Sequence, residues 1–104
     1  MEINITKDNI KEYISGPLPL VIDFWAPWCA PCRKLISVIE ELASEYDGKV
    51  VIGKCNVDEQ RELAIEYNVR SIPTLLFFKN GENVDKLVGA RMKSELQEKI
   101  NTLY

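Results

Sequence analysis

The residues Leu18 to Trp25 form a nearly continuous apolar run, interrupted inside by Asp23. Such a run suits a strand buried on both faces, which needs helices to cover it. It stops at Ala26-Pro27. From Cys29 to about Tyr46, the residues Leu35, Ile39, Leu42, Ala43 and Tyr46 recur at spacings of three and four, which predicts an amphipathic helix ended by Asp47-Gly48. Lys49 to Val57 then reads as a second buried strand. A strand–helix–strand unit requires a parallel pair joined by a right-handed crossover. This unit sets the fold class as α/β.

The flanking segments extend the same layered plan. Ile3-Asn4-Ile5 predicts a short first strand, and Thr6 is placed as the N-cap of a helix carrying Ile10, Tyr13 and Ile14, ended by Gly16-Pro17. A shorter helix is expected over Glu59 to Tyr67, with Leu63, Ala64 and Tyr67 inward. Thr74 to Phe78 and Val84 to Val88 flank Lys79-Asn80-Gly81-Glu82, and an Asn-Gly pair between apolar runs signals an antiparallel hairpin. A last helix, about Lys93 to Leu103, turns Leu96, Ile100 and Leu103 to one face. No linker or repeat interrupts the 104 residues, so residues 1–104 are expected to form one domain with a mixed sheet and helices on both sides.

Composition narrows the chemistry. Thirteen Lys and Arg against sixteen Asp and Glu are interspersed, which gives no electrostatic reason to expect nucleic acid. No apolar run reaches the ~18 residues of a membrane span, and Met1-Glu2-Ile3-Asn4 does not read as a secretory leader, so a cytoplasmic location is expected, with a monomer as the default. The chain has no histidine, which removes Ser/His and Cys/His nucleophile pairs. Three cysteines are too few for a four-cysteine metal site, so no metal is expected. The reactive element that remains is sulfur.

Cys29 and Cys32 stand three residues apart where the first buried strand gives way to the long helix. Within a first helical turn their Cα atoms lie roughly 5–6 Å apart, a separation that a disulfide accepts. Free amides and the helix dipole at such a helix start favour a thiolate, which makes Cys29 the expected nucleophile and Cys32 the buried resolving thiol. Cys55 lies in an apolar strand and reads as a small hydrophobe.

The ordered set Asp23-Phe24-Trp25-Ala26, Trp28-Cys29-Ala30-Pro31-Cys32, Asp58, Ile72-Pro73-Thr74, Phe78-Lys79-Asn80-Gly81 and Val88-Gly89-Ala90 resembles the thioredoxin family across nearly the whole chain. That family is itself the usual illustration of a CxxC thiol acidified in this way. The resemblance implies a mixed five-stranded sheet flanked by four helices, and protein-disulfide reduction by the Cys29–Cys32 pair without a bound cofactor. It implies two kinds of partner: disulfide-containing protein substrates and a thioredoxin reductase, which in the family usually holds a flavin and takes NADPH, a ferredoxin-linked reductase being the other kind. By the same resemblance Asp23 accepts a proton from Cys32 through water, Lys54 tunes Asp23, Pro73 is cis beside the cysteines, and Trp28, Ile72, Pro73, Val88, Gly89 and Ala90 form the substrate-binding rim.

Two positions depart from the family pattern: Ala30 stands where glycine is usual, and Ser37 where a helix-kinking proline is common. Ala30 and Pro31, between the cysteines, are expected to tune the pair. Disulfide oxidases of the superfamily commonly carry histidine at the position of Pro31, stabilising the thiolate and hence the reduced form. Without it the pair should be more reducing, which favours a reductant over an oxidase or isomerase. A redox-active binding subunit is the reading from another class.

Overall fold

The computed structural model describes residues 2–104. Nine elements follow one another: β1 (Ile3–Asn4), α1 (Ile10–Ile14), β2 (Leu20–Trp25), α2 (Ala30–Glu45), β3 (Val51–Asn56), α3 (Arg61–Glu66), β4 (Thr74–Lys79), β5 (Glu82–Val88) and α4 (Lys93–Ile100). The five strands lie in the order β1-β3-β2-β4-β5. β1, β3 and β2 are mutually parallel, and β4 runs antiparallel to both β2 and β5. The expected five-stranded mixed sheet with four helices is the architecture found.

Alternation along the strands decides what each helix covers. Val21, Ile52, Leu75 and Phe77 join Leu35, Ile39 and Leu42 of α2 and Leu96 and Ile100 of α4 in one buried cluster. Leu20, Ile22, Phe24, Leu76 and Phe78 face the other way, onto Ile10 of α1 and Leu63 of α3. Because side chains alternate with a period of two, Asp23 shares the face of Val21, the face that α2 covers. Cys55 belongs to the opposite cluster, the one under α1 and α3.

The β4–β5 connection confirms the Asn-Gly signal. Asn80 and Gly81 have φ of 54° and 82°, the left-handed pair that a two-residue hairpin turn requires. β5 starts at Glu82, two residues before the apolar pattern, because the tight turn lets Lys79 pair directly with Glu82.

Thr6 does not cap α1. Its hydroxyl accepts from Asp8 N–H at 3.2 Å, its own N–H donates to Asn9 Oδ1, and a turn at residues 7–9 delays the helix so that Asn9 becomes the N-cap residue. Asn9 spends its side chain backwards, on Thr6 and on the Asn4 carbonyl, and leaves the helix amides without a side-chain cap. Two expected helix boundaries also move inward. α3 begins at Arg61 because Asn56 Oδ1 accepts from Asp58 N–H and turns the chain first. α4 ends at Ile100, although Leu103 is still buried in the turn beyond it. α2 runs unbroken through Ser37.

Candidate active site

β2 delivers the chain into a loop at Ala26-Pro27-Trp28, and Cys29 is the N-cap of α2 with extended backbone, φ −89° and ψ 108°. Cys29 and Cys32 form a disulfide with Cα atoms 5.2 Å apart. Cys29 Sγ accepts the Cys32 N–H at 3.2 Å, and the Cys29 carbonyl accepts the Arg33 N–H at 3.1 Å. Pro31 has no N–H to offer in this turn, so the sulfur receives one backbone hydrogen bond. The first turn of α2 contains no acidic residue that would oppose a thiolate. Both cysteines are buried, Cys29 at 5% exposure and Cys32 fully.

Three separate segments surround the pair. The Ile72–Pro73 peptide bond is cis, as expected, and the Ile72 carbonyl oxygen lies 3.8 Å from Cys29 Sγ. Among the described residues, neither the N–H nor the carbonyl of Ile72 enters a backbone hydrogen bond. Thr74 pairs with Val88 across the hairpin, and Gly89 N–H donates to the Pro73 carbonyl at 2.8 Å, so the Val88-Gly89-Ala90 turn sits against the proline. Gly89 adopts φ 93°, a conformation that disfavours any side chain. Trp28 is 67% exposed, and its indole Nε1–H donates to both carboxylate oxygens of Asp58, at 3.0 and 3.3 Å. The residues expected to form a rim are thus brought together: Val88 and Ala90 are exposed, Ile72 and Gly89 half-buried, and Pro73 buried.

Asp23 is 3% exposed, and its Oδ1 has no hydrogen-bond partner. Burial raises its pKa from 3.8 to about 7, while the positive charge of Lys54, its register neighbour on β3, pulls the other way. Desolvation wins because Lys54 makes no direct ion pair with Asp23. Its ammonium lies 5.5 Å from the Trp25 ring centroid and 3.7 Å from Glu2 Oε1, and acts on the carboxyl only through its field. Burial, followed by the charge of Asp23, pushes the Cys55 thiol up to about 12. That protonated, fully buried cysteine fits the hydrophobe read from the sequence.

Two features of the site were not read from the sequence. The Trp28–Asp58 hydrogen bond joins residues thirty positions apart and has no local pattern. Arg33 Nη1 donates to the Pro27 carbonyl at 3.0 Å and closes the loop that carries Trp28; no motif marks it.

Chemically, the arrangement suits thiol–disulfide exchange: one sulfur at a helix start, a second held within bonding reach, and a buried carboxyl that titrates near neutrality. Among the described residues, no group of three His, Cys, Asp or Glu side chains is arranged to hold a metal ion. Comparison with known proteins gives the same direction. The thioredoxin family model matches residues 2–102. The M-type chloroplastic thioredoxin of Spinacia oleracea is 47% identical over 98 residues, covering 93% of this chain and 54% of that protein. Thioredoxin of Porphyra purpurea is 46% identical over 91 residues, with 88% and 85% covered, and that of Rickettsia felis 43% over 102 residues, with 97% of each covered. The chain therefore spans little more than half the length of its chloroplastic relatives and nearly all of the Rickettsia protein. With the cysteine pair, the cis-proline and the sheet order in agreement with a match over almost every residue, the chain belongs to the thioredoxin family.

Proposed function

We propose that the protein reduces protein disulfides by dithiol–disulfide exchange. The Cys29 thiolate attacks one sulfur of a client disulfide, forming a mixed disulfide while the other client sulfur leaves as a thiolate and takes a proton from water. Asp23, ionised, accepts the proton of Cys32 through a bridging water. The Cys32 thiolate then attacks Cys29 Sγ, expels the second client sulfur as a thiolate that takes a proton from water, and leaves the Cys29–Cys32 disulfide. The client gains two electrons and two protons, and a thioredoxin reductase returns the electrons to the pair.

Acidity alone cannot account for a fast reaction. A thiol pKa lowered by roughly 1.5 units gives about 15-fold more thiolate at pH 7, but lower basicity removes about 4–6-fold of the reactivity. Positioning supplies the larger factor, because Cys32 attacks from within the same turn, where effective molarities of about 10⁵ M are accessible. The observation that carries the reading is this closed pair at the N-cap of α2 beside the unpaired backbone of Ile72. An extended client segment can add to that backbone as a short strand. Lys54 tempers the pKa of Asp23, and Trp28, Val88 and Ala90 supply an apolar landing surface.

Insulin reduction with NADPH and a thioredoxin reductase tests the proposal. Turnover that is lost in Cys29→Ser, together with mixed disulfides trapped by Cys32→Ser, is expected; absence of both would favour a binding subunit. An equilibrium with glutathione should give a potential well below that of protein disulfide isomerase, and a value in that range would favour the oxidase or isomerase reading. We assign the activity to the cytoplasm, where thiols are kept reduced. Recovery of the protein from an oxidising compartment would overturn that assignment.

A further inference from the structure

All four arginines of the chain, Arg33, Arg61, Arg70 and Arg91, stand around the active-site rim, whereas its nine lysines are distributed over the whole sequence. Arg33 bonds the Pro27 carbonyl, and Arg91 bonds the Val88 carbonyl and pairs with Glu95. Arg61 and Arg70 line a groove of about 790 Å³ that opens beside Trp28 and Ile72. Its apolar wall includes Val69 and Ile65, and Ile65 is 79% exposed although its α3 neighbour Leu63 is buried.

The charges of this groove are unbalanced. Among the described residues, neither Arg61 nor Arg70 has a carboxylate within 4.0 Å. Arg70 Nε donates to the neutral Asn68 side chain. Asp58 is the one carboxylate of the lining, and the Trp28 indole holds both its oxygens. Glu59 and Glu62 line a neighbouring depression with Lys7, which Arg61 and Asp58 border as well, so Arg70 is the arginine that faces the groove alone. On a chain of net charge −3, a positive apolar groove next to the nucleophile is a local reversal of sign.

We propose that this groove selects clients whose disulfide is flanked by an acidic side chain: an apolar client residue lies on Trp28 and Ile65, and a nearby carboxylate is drawn to Arg61 and Arg70. The preference rests on the disulfide-reductant reading above. It acts mainly through encounter rate, because exposed charge pairs steer association more than they hold it.

The test uses the dithiol form of the whole chain in single-turnover reactions with disulfide-linked peptides that differ only in carrying Glu, Ser or Lys beside the cysteine. Rates are divided by those for dithiothreitol, which removes the effect of the flanking charge on the peptide sulfur itself. The Glu peptide should react about fivefold faster than the Lys peptide at low salt, as two exposed ion pairs allow, and the ratio should fall toward one near 0.5 M salt. Arg61→Glu with Arg70→Glu should reverse the order. Equal rates for the Glu and Lys peptides, or a ratio that the double substitution does not move, would overturn the preference. The Ser peptide keeps the two readings apart: its reduction alongside a ratio of one overturns the acidic preference alone, whereas no reduction of any peptide overturns the reductant reading.

Discussion

The two ends of α2 are built on opposite terms. At the C-terminal end, where the helix dipole disfavours negative charge, Glu41 and Glu45 both accept from Lys93 of α4, and Gln97 donates to Glu45 at 2.9 Å. The Lys93 ammonium holds the Glu45 carboxyl below the usual range, and the Tyr46 hydroxyl donates to Asn101 at 2.8 Å. At the N-terminal end, Asp23 Oδ1 is buried without a partner and the Ile72 backbone is unpaired. Satisfied polar groups anchor the helix at one end. At the other, groups left unsatisfied are the ones available to a proton, a thiolate or a client strand.

Cys29→Ser removes the nucleophile. It should lower insulin reduction by more than about 10³-fold, because an alcohol at this position is not ionised near pH 7. The melting temperature of the reduced protein should hardly change. A substituted protein that still turns over would move the chemistry away from this end of α2.

Asp23→Asn comes next and reads out twice. Asp23 holds its proton in the folded state up to about pH 7, but releases it near 3.8 when unfolded. The folded state is therefore increasingly disfavoured as pH rises from about 4 to about 7, by up to about 4 kcal/mol above that window. Asp23→Asn should be more stable than the unsubstituted chain at pH 8, with the difference vanishing near pH 4 in denaturant titrations. Its release of clients by Cys32 should slow roughly tenfold to a hundredfold at neutral pH, and the inflection near pH 7 should disappear from the rate profile. Unchanged stability and unchanged rate would remove Asp23 from the account.

Ala30→Gly should keep turnover within a few-fold, since at most about 1 kcal/mol of helix preference is lost in the first turn. A collapse of activity would give Ala30 a specific role. The smallest effect is expected at the other end: Lys93→Ala should leave turnover untouched and lower the melting temperature slightly, in a salt-dependent way.

Legibility in the sequence follows the range of the physics involved. The Asn80-Gly81 turn, the buried β2 run and the face of α2 depend on neighbours or on a regular period, and each appears where expected. The cap of α1 is less legible because Thr6 and Asn9 both suit the role, and the choice between them depends on where the Asn9 side chain goes. The cysteine pair is local and visible. Its surroundings are not: Asp58 under Trp28, and Arg61 and Arg70 along one groove, are brought together only by the crossing of β3, α3 and the loop before Pro73.

The most direct test of the central claim follows all three cysteines through one reaction. Fully reduced protein is mixed with an equal amount of insulin, quenched with a thiol-alkylating reagent and mapped by mass spectrometry, with the protein unfolded before labelling. Reduced insulin, a Cys29–Cys32 disulfide in the protein, and Cys55 carrying the label are the expected products. Intact insulin, or a protein disulfide that includes Cys55, would contradict the claim.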